Sequence, residues 1–267
     1  MILAIDIGNT NVKCGVFDGD KLLSSFRLSS SVNKTSDEYG MTMMELLKER
    51  SVERSMIDGV IMSSVNPNMN YTFEHLIRYY FGRKPLVVGA GLKTGLNIKY
   101  DNPKEVGADR IVGSVAAYYT YGGPCIVMDC GTATTFNAIN GKGEFLGGAI
   151  GFGLKTGSDA LTRSASKLPK VELSIPESAI GKTTITNMQS GLIFGYVGMV
   201  EYLISRIKSE MKCDKIKVVA TGGLSEIVAS QSSTIDIVDR TLTLRGLNII
   251  YGLNRDSRDT KVQGGLS

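Results

Sequence analysis

The chain has 267 residues, 42% of them apolar and 21% charged, a balance that fits a folded globular protein and excludes a disordered one. Thirty Lys and Arg stand against 26 Asp and Glu, and the excess of +4 is scattered along the chain. It forms no basic stripe of the kind nucleic-acid binders carry, so no nucleic-acid partner is expected. No apolar run approaches the ~18 residues of a membrane span, and Asp6 interrupts the opening apolar run too early for a signal peptide. A cytoplasmic protein without a membrane partner is the expectation. Cys14, Cys125, Cys130 and Cys213 form no C-x-x-C pair and are expected as free thiols. The single histidine, His75, lies in an apolar helical stretch and is expected to be structural.

At about 150 residues per domain, the length allows two modest lobes or one large α/β domain. Three strands open the chain, at 2–7, 12–17 and 21–28, the last two joined by the turn Asp18-Gly19-Asp20. Thr35 and Glu38 have capping-box spacing and predict a helix running to about Arg50. A strand at 59–65 follows, and Asn66-Pro67 opens a helix that ends near Gly82. A short strand at 85–88 leads into a glycine-rich loop, and a helix is predicted over 105–121. Strand 126–129 comes next, then a glycine-heavy stretch at 147–157 and a helix at about 158–167. After a loop through Pro169 and Pro176, a long amphipathic helix covers about 187–211. Strand 216–221 ends at Gly222-Gly223, a helix starts at Leu224, and 242–253 forms the closing helix. Residues 256–267 are polar and expected as a flexible tail.

The opening pattern returns. Sliding the chain by 123 residues places Asp6 on Asp129 and Gly8 on Gly131. Each copy reads apolar strand, Asp-x-Gly, small polar residues, second strand, tight turn, third strand. Two related lobes, 1–122 and 123–255, are expected.

Asp6-Ile7-Gly8-Asn9-Thr10-Asn11 is the most informative stretch. A carboxylate at a strand end, followed by Gly, Asn and Thr in a turn, offers backbone N–H groups and hydroxyls to phosphate oxygens. The Asp can hold a metal or its waters nearby, and Lys13 can direct a charge toward the phosphates. An ordinary hairpin uses the same residue types. Recurrence as Asp129-Cys130-Gly131-Thr132-Ala133-Thr134-Thr135 favours phosphate binding, with one turn on each side of a triphosphate. Gly222-Gly223 between a strand and a helix suits close approach of a flat ring or phosphate. Gly107-Ala108-Asp109-Arg110 falls in the first turn of a helix, where the dipole favours an ionised carboxylate and lowers its basicity. Asp109 could orient and deprotonate an attacking hydroxyl, and Arg110 could fork onto a substrate carboxylate. An Asp-Arg pair that merely stabilises a helix start fits the same residues. Gly181-Lys182-Thr183 and Gly151 to Gly157 resemble phosphate-binding fingerprints but miss the required spacing.

Together these motifs resemble the type III pantothenate kinases of the actin, hexokinase and chaperone-ATPase superfamily. The resemblance rests on Asp6 to Asn11, Tyr100-Asp101-Asn102-Pro103, Val106 to Arg110, Asp129 to Thr134 and Gly147-Gly148-Ala149-Ile150. Gly181 to Thr184, Gln189-Ser190-Gly191 and Thr221-Gly222-Gly223 complete the series. It implies an α/β fold of two duplicated ribonuclease-H-like lobes, each a mixed sheet flanked by helices, with an interlobe nucleotide cleft. It implies ATP-dependent phosphorylation of pantothenate to 4′-phosphopantothenate, the first step toward coenzyme A. Carried over residue by residue, Asp109 is the proton acceptor. Asp6, Ile7, Gly8, Asn9, Thr10, Asn11, Val12, Lys13 and Thr132 contact ATP, as the glycine pair Gly222 and Gly223 is also expected to do. Tyr100, Gly107, Ala108, Asp109, Arg110 and Thr184 line the pantothenate pocket. Asp129 helps bind a monovalent cation, K+ or NH4+, and Mg2+ accompanies ATP near Asp6. The family forms homodimers, and the apolar face Leu192, Val197, Val200, Leu203 and Ile204 serves either dimerisation or core packing. The chain departs from the family pattern at Phe152-Gly153, where Pro-Gly is expected, and at Gly113-Ser114, where Asn-Ala is common.

Two other readings stand beside it: a transcriptional accessory protein, a label some family members have carried, for which direct DNA binding would want a clustered basic patch, and a kinase of the same fold for another small hydroxylated metabolite, since the fold alone does not fix the substrate.

Overall fold

The computed structural model describes residues 1–213 and 215–262, with side chains as far as Arg255. Its helices are α1 (Ser36–Lys48), α2 (Asn70–Phe81), α3 (Ala108–Tyr121), α4 (Leu154–Ser164), α5 (Thr184–Met211), α6 (Ser225–Ala229) and α7 (Leu242–Val262). The chain divides into two compact units. One holds Met1–Leu96, Asn102–Ala116 and the described residues from Leu242 onward; the other holds Asn97–Asp101 and Ala117–Thr241. The division thus differs from a simple cut at 122/123: it falls inside α3, and α7 belongs to the first unit.

The first unit is built on β1 (Ile2–Ile7), β2 (Asn11–Asp18), β3 (Lys21–Ser29), β4 (Gly59–Ser64) and β5 (Leu86–Val87), in the order β3-β2-β1-β4-β5. The first three are antiparallel neighbours, and β4 and β5 add in parallel. Strand β1 is buried on both faces, which is why it reads as a continuous apolar run rather than an alternation. Leu3, Ile5 and Ile7 pack with Tyr39, Met43 and Leu47 of α1 and with Phe73, Leu76 and Ile77 of α2. The 4-residue spacing of the α1 residues places them on one face. Removing one of them, as in Leu47→Ala, costs about 2–5 kcal/mol by transfer and cavity terms. Helix α7 contacts β1, β2 and β4. Its Leu244 comes so close that a Cβ on Gly15 would sit 3.0 Å from Leu244 Cδ1.

The second unit holds β6 (Asn97–Ile98), β7 (Cys125–Cys130), β8 (Ala133–Ile139), β9 (Glu144–Phe152), β10 (Lys217–Gly222) and β11 (Ile237–Val238). The order is β11-β10-β7-β8-β9-β6. From β9 to β11 this repeats the first unit strand for strand, antiparallel through β7 and parallel beyond it. Val197, Val200 and Ile204 of α5 are buried in this unit's core, and Leu192 and Leu203 pack partly buried against it, so that face serves core packing.

The capping box of α1 is present: Thr35 Oγ1 accepts from the Glu38 amide at 3.2 Å, and Glu38 Oε2 accepts from the Thr35 amide at 2.7 Å. Asn66 makes no side-chain cap, and a 3-10 turn, Pro67–Met69, precedes α2. Helix α4 starts at Leu154 rather than near 158, because β9 runs through the glycine-heavy stretch to Phe152. Helix α5 starts at Thr184 rather than near 187, capped by Thr183. Helix α7 continues to Val262, into the stretch expected as a tail, and 263–267 lie outside the described residues. All four cysteines are free; Cys14, Cys125 and Cys130 are buried and Cys213 is exposed. Burial pushes the thiols of Cys125 and Cys130 up to about 12. His75 is not a core residue: it is exposed on α2, stacked between Tyr71 and Tyr79.

Candidate active site

The turn between β1 and β2 is closed by the Gly8 amide donating to the Asn11 carbonyl at 3.0 Å. A Cβ at Gly8 would sit 2.9 Å from that carbonyl oxygen, so glycine is needed for the close approach. Ser30, just beyond β3, ties the turn down: its amide donates to the Thr10 carbonyl at 3.0 Å and its hydroxyl to the Gly8 carbonyl at 2.6 Å. Tyr39 of α1 fixes the flanking residues, donating to the Ser29 carbonyl and accepting from the Ser31 amide, both at 2.9 Å. Asn9, Thr10 and Asn11 are left exposed. Ile7 and Val12 have wholly buried side chains, so they can meet a ligand only through their main chain.

Asp6 stands at the centre of a row running across three strands. It is in register with Lys13 of β2 on one side and Ser63 of β4 on the other. Ser63 Oγ donates to Asp6 Oδ1 at 2.8 Å, and Lys13 Nζ lies 3.5 Å from Asp6 Oδ2. The carboxylate is 5% exposed and Ser63 is fully buried, so a charge removed from water keeps one donor and one cation as partners.

Asp109 shares this corner. It occupies the first turn of α3, with Oδ1 accepting from the Arg110 amide at 2.8 Å. Gly107 makes room for it, since a Cβ there would lie 2.6 Å from Asp109 Oδ1. Burial and the nearby Asp6 charge raise the Asp109 pKa, against the lowering effects of the Arg110 amide and of the Arg110 and Lys13 cations. Desolvation is the largest of these effects. The expectation that the helix start lowers the basicity of Asp109 is therefore overturned: loss of water outweighs the dipole. Arg110 is buried, and its carbonyl accepts from the Ser114 hydroxyl at 2.7 Å. Ser114, one of the departures from the family pattern, thus serves the helix interior.

In the second unit, Asp129 holds the place on β7 that Asp6 holds on β1. It is in register with Thr135 of β8 and with Thr221 of β10, which is 2% exposed. The turn is closed by the Gly131 amide donating to the Ala133 carbonyl at 3.1 Å. The Thr132 carbonyl accepts from the Thr156 hydroxyl at 2.6 Å and from the Gly153 amide at 3.2 Å. A side chain at Gly153 would run into the carbonyls of Gly131 and Thr132. Gly222 has φ +98, and a Cβ there would lie 2.6 Å from Asp129 Oδ1 and from the Cys130 carbonyl oxygen. Gly223 faces open space. Behind the turn, Thr134 and Tyr196 share a buried hydroxyl–hydroxyl bond of 2.5 Å.

The first unit therefore brings Asp6, Lys13, Asp109 and Arg110 together, with Gly107 and Ala108 beside them. Tyr100 lies in the second unit, where a Cβ on Gly147 would come within 3.6 Å of its ring. Thr184 is exposed at the first position of α5. The residues not anticipated are Ser63, Ser30, Tyr39, Gly153 and Tyr196. Ser63 has a sequence signal only once β1 and β4 are aligned in parallel; Gly153 belongs to the stretch set aside as a failed fingerprint.

Among the described residues no group of three or more His, Cys, Asp or Glu could hold a metal. A lone buried carboxylate fits Mg2+, which keeps several waters and takes its other ligands from phosphates. The Asp129 carboxylate and the Cys130 carbonyl both lie close to Gly222, oxygen donors of the kind a hard cation takes.

Two sheets of one topology, each with an Asp-x-Gly turn at the same strand end, make up the actin- and hexokinase-like ATPase fold. Solved structures share that fold. A protein from Campylobacter jejuni described as a Baf family transcriptional activator matches with TM-score 0.61 and 20% identity over 95% of this chain and 99% of that one. A 2-dehydro-3-deoxygalactonokinase, so described, from Sinorhizobium meliloti gives 0.57 and 11% over 96% of each. An inorganic polyphosphate/ATP-glucomannokinase from Arthrobacter sp. strain KM gives 0.51 and 18% over 95% and 98%. The family model of type III pantothenate kinase matches residues 2–206, and the chain belongs to that family. It is accordingly an ATP-using kinase of coenzyme A biosynthesis, and no described helix is long and apolar enough to cross a membrane.

Proposed function

We propose that this kinase transfers the γ-phosphoryl group of ATP to the 4′-hydroxyl of pantothenate. The observation that carries this reading is Asp109, a carboxylate made more basic by burial and by Asp6, at a helix start beside Lys13 and Arg110. Phosphoryl transfer through a loose transition state asks the protein mainly for positioning and charge. Asp109 accepts the hydroxyl proton, for which a raised pKa is an advantage near neutral pH. Arg110 forks onto the pantothenate carboxylate, and Tyr100, Gly107, Ala108 and Thr184 line the same substrate.

ATP is held by the main chain and side chains from Asp6 to Lys13, by Thr132, and by Gly222 and Gly223. Asp6 would hold Mg2+, which would supply charge neutralisation at the phosphates. Asp129 would hold K+ or NH4+. The enzyme works in the cytoplasm as a homodimer. Ile150 and Phe152, two residues apart on β9 and exposed by 64% and 55%, are apolar side chains that a subunit contact would cover.

The test is ADP release measured with and without pantothenate and with K+ exchanged for Na+. Pantothenate-dependent, K+-dependent release is expected. Equal release without pantothenate, or with other small alcohols, rejects the substrate; release unaffected by the cation rejects the role of Asp129.

A further inference from the structure

We infer that Ser63 is a positioning residue for nucleotide binding, acting through Asp6. This rests on the reading of Asp6 as the residue that holds the metal–nucleotide pair. Ser63 touches neither substrate nor phosphate in that scheme. Its hydroxyl donates to Asp6 Oδ1 at 2.8 Å, and both groups are buried.

The bond decides which oxygen of Asp6 is available. With Oδ1 engaged by Ser63, the χ2 rotation of the carboxylate is fixed and Oδ2 is turned to the side where Lys13 Nζ stands, 3.5 Å away. A carboxylate accepting a single hydrogen bond from a rigid strand keeps one orientation; without it the broad two-fold χ2 well lets both oxygens wander. The donor sits on β4, directly in register with Asp6 on a parallel ladder, so its position is set by the sheet rather than by a loop.

A second observation points the same way. At the equivalent place in the second unit, Asp129 is in register with Thr221, again a hydroxyl residue, and again buried at 2%. A buried hydroxyl in a parallel strand core is costly unless it has a polar task. Finding one in register with each Asp of the two Asp-x-Gly turns fits a task shared by both turns.

The experiment compares Ser63→Ala, Ser63→Thr and Asp6→Asn in the full-length enzyme, measuring kcat, KM for MgATP, KM for pantothenate and melting temperature. Ser63→Ala is expected to raise KM for MgATP ~10-fold, the effect of losing one charge-assisted hydrogen bond, while KM for pantothenate stays within about 2-fold. Ser63→Thr, which keeps the hydroxyl, restores KM for MgATP. An unchanged KM for MgATP in Ser63→Ala overturns the inference. So does a parallel rise in both KM values with a lowered melting temperature, or a Ser63→Thr that melts normally without restoring KM. If Asp6→Asn is impaired while Ser63→Ala is not, only this inference fails; if Asp6→Asn itself binds MgATP normally, the nucleotide role of Asp6 fails.

Discussion

Asp109, at the start of α3, lies close enough to Asp6, at the end of β1, for the Asp6 charge to add to burial in raising the Asp109 pKa. Lys13, the ion-pair partner of Asp6, acts on Asp109 in the opposite sense. The two neighbours therefore tune one base from opposite sides.

This arrangement predicts the acid limb of the pH profile. Asp109 must be ionised to accept a proton, so activity falls as pH drops through its raised pKa, above the ordinary 3.8 of an aspartate. Asp6→Asn removes a like charge and moves the limb of the residual activity to lower pH. Lys13→Met removes a cation and moves it to higher pH. Shifts in the same direction for both variants would dissolve the assignment.

Asp109 also links activity to stability. A folded-state pKa above the unfolded one means that the stability present below the unfolded value is lost as pH rises through the folded value. The ionised group is then a burden on the fold at neutral pH. Asp109→Asn keeps an oxygen for the Arg110 amide and removes the buried charge, so its melting temperature at pH 7 should exceed that of the wild type. The excess should vanish below about pH 4, where the wild-type side chain is protonated too. Turnover should fall ~10²–10⁴-fold. Thermal scans at the two pH values and a steady-state assay check both halves.

Gly222 and Gly223 separate structural need from ligand need. Gly222→Ala forces a side chain into a left-handed backbone and against Asp129, and should destabilise the protein by about 1–3 kcal/mol. Gly223→Ala meets nothing within 4 Å and should melt like the wild type. If adenosine passes close to Gly223, that variant raises KM for ATP several-fold all the same. A normal KM for ATP in Gly223→Ala places the nucleotide elsewhere.

Ser30→Ala should loosen the first turn without emptying the core. It removes the hydroxyl bond to the Gly8 carbonyl but leaves the Ser30 amide bond to Thr10 intact. A loss of about 1 kcal/mol in stability and a modest rise in KM for ATP are expected, with KM for pantothenate unchanged. Denaturant melts and initial rates with each substrate varied give the answer.

How much of this was legible depended on the range of the physics involved. The β1 run and the Thr35–Glu38 cap are local patterns, and both elements formed where their residues pointed. Gly153 hid the start of α4, because its cap makes no side-chain bond and the glycines of β9 imitate a loop. The two-residue strands β6 and β11 are too short to carry a period, and they exist only through their neighbours β9 and β10. Asp109 stood out by motif, but the sign of its pKa shift did not, since helix position is written in the sequence and burial is not. Ser63 and Asp6 are 57 positions apart, and only strand register brings them to one bond.

Helix α7 carries a consequence for the order of assembly. Leu244, Leu247 and Ile250 are buried in the unit that holds β1, so the first sheet lacks the cover of α7 until residues 242–250 have been synthesised. The segment between, Ala117–Thr241, holds every strand of the other sheet except β6. Synthesis in chain order thus delivers the first sheet early and completes its unit only after the second sheet, and a nascent chain arrested before residue 242 would expose to chaperones the apolar surface that α7 covers.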